Sequence, residues 1–301
     1  MTPSGDPAAS ATNAPIPVDG ELVARIERAL LQFVDGAGLP ANLNAACTHA
    51  LLAGGKRLRP LLVLECARAI DTEAERDAMP AAIAIELVHA FSLVHDDLPA
   101  LDNDSMRRGK PTCHVAFGEA MAILAGDCLL ALAPLSAGRS RRAAEAIQGE
   151  LMRATVAMIN GQVLDTLGGF PADASERARL EAIHRNKTGA LIECSCRMGA
   201  LAAGAGDAAL ASLGEFGQAI GLMFQIVDDL IDATQSAEHA GKATGKDADA
   251  GKLTYPQVHG LEGSRREVER LRILALDSLA AAGARPERLA ALVDYLAART
   301  R

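Results

Sequence analysis

Two short acidic clusters are the residues most capable of chemistry in this chain. The first is Asp96-Asp97-Leu-Pro-Ala-Leu-Asp102, followed by Asn103, Asp104 and then Arg107-Arg108-Gly109. The second is Asp228-Asp229-Leu-Ile-Asp232, preceded by Phe224-Gln225. Neither lies in a polar loop: Asp96 and Asp97 close a run containing Leu87, Val88, Phe91, Leu93 and Val94, and the second is flanked by Ile226, Val227, Leu230 and Ile231. Helical i, i+4 spacing puts Asp228 and Asp232 on one face, with Gln225 a turn behind. Like charges about 4 Å apart repel by about 4 kcal/mol at an effective dielectric of 20. Carboxylates on apolar walls therefore need raised pKa values or a cation. Hard oxygen ligands suit Mg²⁺, which keeps waters and shares a substrate phosphate, with Mn²⁺ as a substitute ion. One such cluster alone would read as a solvated helix end. Two together predict facing acidic walls with a metal-bridged phosphate group between them.

Basic groups stand beside both clusters. Gly54-Gly55-Lys56-Arg57-Leu-Arg59-Pro60 gathers three cations ahead of a helix, and Arg107-Arg108-Gly109-Lys110 follows the first acidic cluster. Lys187-Thr188-Gly189 interrupts an apolar helix, and Lys252-Leu-Thr-Tyr-Pro256 follows the second cluster. The Gly-Lys pairs at 55–56 and in Gly241-Lys242 lack the spacing and the following Ser or Thr of a phosphate-binding P-loop. Arg suits bidentate and Lys point-charge contacts, so the set fits more than one phosphate group. His89 lies two helical turns before Asp96 on the same face, as a core histidine or as a phosphate contact.

Positioning these groups falls to helices. The chain has 301 residues, half of them apolar, with no Trp, two Tyr and six Phe. Period-2 runs of β-branched and aromatic residues are missing, which excludes an all-β fold. Leu22, Val23, Ile26, Leu30 and Phe33 form a helical stripe stopped by Gly36. Pro60, Pro80 and Pro286 read as first-turn residues of helices, and Pro99 as the stop behind His95-Asp96-Asp97. Ser175 opens a helix reaching about Leu201, and Leu210–Ile231 forms another. The expectation is one all-α domain of roughly ten helices over residues 19–301, after a disordered tail at 1–18 rich in Pro, Ala, Ser and Thr. That tail lacks the features of a signal peptide. Glu119 and Asp127 interrupt the apolar stretch Val115–Leu135, which reads as a buried helix and not a membrane span. Six cysteines without metal or disulfide spacing suit a reducing cytoplasm. A formal charge of −8 argues against nucleic-acid binding.

These residues resemble the trans-type isoprenyl diphosphate synthases, and in particular the bacterial farnesyl diphosphate synthase group. The matching segments are GGKRLRP at 54–60, LVHAFSLVHDDLPALDNDSMRRGKPTCH at 87–114, AILAGDCLL at 122–130, KTGALI at 187–192, GLMFQIVDDLID at 221–232 and GKDADAGKLTYP at 245–256. The resemblance implies an isoprenoid synthase helical bundle around a central cavity, usually a homodimer. It implies Mg²⁺ ligation by Asp96 and Asp102, supported by Asp97, and by Asp228, helped by Asp232. Lys56, Arg59, His89 and Arg108 would bind isopentenyl diphosphate. Arg107, Lys187, Thr188, Gln225, Lys242 and Lys252 would contact the allylic diphosphate. Ser105-Met106 departs from the family's common Asp-Leu pair without touching a proposed ligand.

The implied reaction ionises an allylic diphosphate, joins the cation to isopentenyl diphosphate and loses a proton to the leaving diphosphate. It needs no protein nucleophile. Phe91 lies about 7.5 Å below Asp96 along the helix. With the small Ser92 beside it, its ring would floor the cavity and stop growth early, at a C15 or C10 product, of which farnesyl diphosphate is the one expected. A geranyl or geranylgeranyl product is the enzyme alternative. A non-catalytic regulatory subunit is the alternative from another class, and the retained Asp and Arg residues disfavour it.

Overall fold

A computed structural model describes residues 20–238, 253–283, 285 and 287–299. The 1–18 segment, Lys242, Lys252 and Pro286 lie outside the described residues. The elements are α1 (Gly20–Asp35), α2 (Ala41–Leu51), α3 (Leu58–Ile70), α4 (Glu75–Asp96), a two-residue hairpin of β1 (Met106–Arg107) and β2 (Lys110–Pro111), α5 (Cys113–Phe117), α6 (Glu119–Ala137), α7 (Ala144–Thr166), α8 (Glu176–Ile183), a π-helical segment (His184–Gly189), α9 (Ala190–Ala202), α10 (Asp207–Glu238), α11 (Tyr255–Ala281) and α12 (Glu287–Ala298). The protein is all-α, as the composition requires.

Helix α4 is the axis of the bundle. It packs against α3, α6 and α9, and more lightly against α1, α2 and α7. It is apolar on every side, with Ala78, Ala81, Ala82, Ala84, Ile85, Leu87 and Val88 fully buried. A helix apolar all round belongs inside. Its alanines let the neighbouring helices approach closely. Helix α9 bridges α3, α4 and α7 to α10, which carries α11 and α12 on its far side. The core thus forms two apolar clusters, one around α4 and the other around α10.

Several boundaries differ from the sequence reading. Helix α4 begins at Glu75, so Pro80 sits inside it and not at its first turn. Ser175 does cap α8, its hydroxyl accepting from Ala178 N at 3.2 Å. The expected continuation to Leu201, however, is interrupted by the π-helical segment. The Val115–Leu135 stretch breaks at Gly118, and its α6 part is only half buried: Ile123, Leu124 and Leu135 are exposed. Exposed apolar residues continue onto α7 at Met152, Val156, Ile159 and Val163. Helices α4, α6 and α10 are each long and apolar enough to cross a membrane by length and composition. The surrounding bundle buries most of α4 and α10.

Arg57 is structural and not part of a phosphate site. Held at φ 50°, it donates to Glu86 at 2.7 Å, to Glu27 at 3.0 Å and to Leu51 O at 2.5 Å. It thereby ties the turn before α3 to α1, α2 and α4. Removing one partner of a buried pair costs about 3–5 kcal/mol. Arg57→Ala should therefore lower Tm by roughly 6–20 °C, at 2–4 °C per kcal/mol for a domain of this size. A melt within 2 °C of the parent would show the tie to be dispensable.

Candidate active site

The first acidic wall is the C-terminal end of α4 and the loop behind it. That loop folds back on the helix, with Asp102 N donating to Asp96 O at 2.9 Å and Asn103 N to Leu98 O at 3.1 Å. Asp102 is thus placed beside Asp96, exposed at the loop tip. Burial raises the Asp96 carboxyl to about 6, with the Lys187 charge opposing and Asp102 adding to the rise. Asp97 points elsewhere. It is 3% exposed and grips Arg107, whose Nε donates at 2.8 and 2.9 Å and Nη2 at 2.5 Å. The hairpin at 106–111 aims this arginine: Arg108 (φ 53°) and Gly109 (φ 79°) form the tight turn that antiparallel strands favour. Arg107 is thereby turned to Asp97, and Arg108 to the carbonyl of Gly54.

The second wall lies on α10. Asp228 accepts a hydrogen bond from Arg299, which also donates to Phe224 O at 3.1 Å and stacks 4.1 Å over the Phe224 ring. Burial pushes Asp228 up, Arg299 opposes this, and Asp232 adds to the rise. Asp229 is 7% exposed and already partnered, accepting from Tyr255 N at 2.8 Å and Gln225 Nε2 at 3.1 Å. Gln225 in turn accepts from Thr188 Oγ1 at 3.0 Å. Lys187 Nζ donates to Asp165 Oδ2 at 2.6 Å. The π-helical turn brings Lys187 and Thr188 to the site together. It packs so closely on α7 that a Cβ at Gly161 would overlap Lys187 N and stand 2.6 Å from its Cα.

A hollow of about 530 Å³ runs from these groups into the bundle. Asp96, Arg59, His89, Lys187 and Thr188 line it, and Phe91, Leu130, Met158 and Leu191 are among its apolar walls. A smaller hollow beside it shares Lys187 and Thr188 and reaches Gln225, Asp229 and Asp165. Arg59 Nη1 donates to His89 Nε2 at 3.3 Å. Burial and the charges of Arg59, Arg108, Arg107 and Arg57 hold His89 well below the usual histidine range, hence neutral. Arg59 Nε is buried with no acceptor among the described residues, a donor suited to an incoming anion. Lys56 feels the charges of both Asp228 and Arg299.

Lys56, Arg59, His89, Arg108, Asp96, Lys187, Thr188 and Gln225 thus gather around the two hollows or their charged mouth, whereas Asp97 and Arg107 are spent on one another. The sequence reading missed Asp165, Gly161 and Arg299. Asp165 had a faint signal as a carboxylate on the apolar helix of Gly161, Val163 and Leu164. Arg299 had none, because it reaches Asp228 across 71 positions.

Among the described residues no three His, Cys, Asp or Glu side chains converge tightly enough to cage a metal ion. The acidic donors at the hollows are carboxylates whose unneutralised charge burial disfavours, as at Asp96 and Asp229. That set fits Mg²⁺, which demands few protein ligands and keeps its waters and substrate phosphates.

The family model for polyprenyl synthetases matches residues 40–290. The chain belongs to that family. It is accordingly a transferase acting on prenyl groups. A chloroplastic protein of Arabidopsis thaliana, the heterodimeric geranylgeranyl pyrophosphate synthase large subunit 1, is 43% identical over 271 residues, covering 86% of this chain and 73% of the relative. The chloroplastic geranylgeranyl pyrophosphate synthase of Catharanthus roseus is 42% identical, covering 86% and 74%. Among solved structures, a geranyltransferase from Legionella pneumophila superposes with a TM-score of 0.79 at 33% identity, covering 92% of this chain and 95% of that one. The polyprenyl synthetase fold, an isoprenoid synthase bundle, is therefore shared across both comparisons.

Asp228→Ala should abolish turnover, by at least about a hundredfold for a lost electrostatic contact of this type, with circular dichroism unchanged; retained activity would remove Asp228 from the site. The raised Asp96 carboxyl holds a proton below about pH 6. A metal must displace that proton, so Mg²⁺ affinity measured by calorimetry should fall as pH drops from about 7 to about 5. A flat profile would exclude Asp96 as a ligand.

Proposed function

We propose that this chain condenses isopentenyl diphosphate with an allylic diphosphate, head to tail, lengthening a prenyl diphosphate by five carbons per step. One observation carries the reading: acidic and cationic groups from four separate segments meet at the mouth of a hollow whose walls are apolar. A diphosphate with a hydrocarbon tail has that same division of charge.

Asp96, Asp102 and Asp228, with Asp97 and Asp232 in support, are the residues for Mg²⁺. When bound, Mg²⁺ supplies positive charge to the departing diphosphate and so eases cleavage of the allylic C–O bond. The chain's own residues do the rest. Lys187, Thr188 and Gln225 hold the allylic diphosphate from the α9–α10 side, joined by Arg107, Lys242 and Lys252. Lys56, Arg59, Arg108 and the neutral His89 hold isopentenyl diphosphate. The pairing of Arg107 with Asp97 gives Arg107 the further task of steadying the loop. Phe91, Leu130, Met158 and Leu191 exclude water, which would quench an allylic cation. The proton lost at the end goes to the diphosphate already present, so no protein base is required.

Product length has two supports that pull apart. The names of the sequence relatives favour geranylgeranyl diphosphate over the farnesyl diphosphate expected from the sequence. The farnesyl reading retains one specific observation. The α4 residues lining the hollow run no deeper than His89 and Phe91, and the next turn, Val88 and Leu87, is sealed in the core. The exposed apolar faces of α6 and α7 suit a second copy of this chain as partner, and we place the enzyme in the cytoplasm.

The test is direct. Purified protein with dimethylallyl and isopentenyl diphosphates should form a prenyl diphosphate whose length chromatography reads. Chelation with EDTA should stop the reaction and added Mg²⁺ restore it; equal turnover in EDTA would sink the metal assignment. Phe91→Ala should lengthen the main product by at least one five-carbon unit, and an unchanged profile would remove Phe91 from the floor.

A further inference from the structure

The ring of His95 has no role in the chemistry above, yet its setting is unusually constrained. It stands on α4 one turn above Phe91 and beside Asp96, and it lines the hollow. Its Nε2 lies 3.2 Å from Ile123 O. A carbonyl oxygen can only accept, so Nε2 carries the hydrogen. The Phe91 and His95 rings meet edge to face, with centroids 5.8 Å apart at 83°. Behind the imidazole lies Gly126 of α6, in mid-helix and buried. A Cβ on Gly126 would overlap the imidazole, standing 2.9 Å from its Cε1. Glycine is a poor choice within a helix, and contact with the ring accounts for it here.

The hollow is bounded by α4, by Asp127 and Leu130 of α6, and by α7. An imidazole pushed off Gly126 therefore moves into the space that receives the growing chain. An imidazole removed leaves the Phe91 ring without its neighbour one turn above. We propose that His95, seated on the bare backbone of Gly126, is a positioning residue that props the Phe91 ring and so fixes where prenyl growth stops. The floor is then a unit of three residues on two helices. This inference rests on the prenyl-transfer reading, and it deepens it by assigning length control to residues outside the Phe91 position.

The test compares the parent chain with Gly126→Ala, His95→Ala and the double variant. Each is incubated with dimethylallyl and isopentenyl diphosphates and Mg²⁺, and the ratio of longer to shorter products is read at matched total turnover. A folding defect lowers the yield but does not move this ratio in opposite directions. Gly126→Ala should shift the ratio toward shorter products by about tenfold, the discrimination that small apolar groups give in a pocket. His95→Ala should shift it toward longer products. The double variant should behave like His95→Ala, because the added methyl then meets no ring.

A parental ratio in Gly126→Ala would overturn the proposal, as would a double variant that keeps the short products of Gly126→Ala. Absence of product from a folded His95→Ala chain would overturn it too, moving His95 to the diphosphate end. Should Gly126→Ala fail to fold, the His95→Ala ratio decides alone, an unchanged value being fatal. A parent chain that makes no prenyl diphosphate refutes the function itself and is recognised before any variant is compared.

Discussion

The arrangement depends on the cost of keeping carboxylates on apolar helices. At Asp96–Asp97 and at Asp228–Asp229, neighbouring acids are built into largely apolar helix segments, beside buried Phe91 and Val94 and buried Ile226 and Val227. The fold resolves this unequally within each pair. Asp97 is neutralised by Arg107, and Asp229 accepts from Tyr255 N and Gln225, which only partly offset the burial that raises its carboxyl to about 6. Asp96 lacks so close a partner, and burial raises it to about 6. Asp228 is held by one buried guanidinium, that of Arg299, which also stacks on Phe224. In each cluster one acid is tied down by local donors, Asp97 by Arg107 and Asp229 by Tyr255 N and Gln225, while Asp96 lines the larger hollow and Asp229 the smaller. A charge left short of solvation by the protein is one that an incoming cation or substrate can complete.

The surrounding geometry serves that presentation. The hairpin turn at Arg108 and Gly109 divides two adjacent arginines between opposite tasks, one clamping Asp97 and the other facing the Gly54 turn. The π-helical segment does the same for Lys187 and Thr188, which reach Asp165 and Gln225 respectively. At these two places irregular backbone aims polar groups at the site. The cations and acids interlock closely enough that few of them are available without some exchange of partner. A charged substrate that engages Arg107, Lys187 or Asp228 has to displace Asp97, Asp165 or Arg299 respectively, whereas Arg59 Nε is already without an acceptor among the described residues.

Much of this was legible in the sequence. The two acidic clusters, the stripe of α1 and the Ser175 cap were visible because local spacing determines them. Pro80 misled, because a proline suits a first turn but a helix packed on all sides tolerates one further in. The sequence marked Lys187-Thr188-Gly189 as an interruption of an apolar helix, but nothing in His184–Gly189 specified that the interruption would be a π-helical turn. A lone glycine in a helical pattern gives no hint whether a ring, as at Gly126, or another backbone, as at Gly161, lies against it. Arg299 and Asp228 meet only through tertiary packing. Local chemistry was readable, and the pairing of distant groups was not.

Helix α4 carries both an acidic group at the mouth and the aromatic ring at the depth of the hollow. Because both are fixed to one rigid rod, an inserted or deleted residue between them would rotate one by about 100° relative to the other and dismantle the site. The loop beyond Asp97 is under no such geometric bond and can change length more freely. Diversification in such a scaffold is confined to exchanging side chains along α4, while insertions and deletions must accumulate beyond its end.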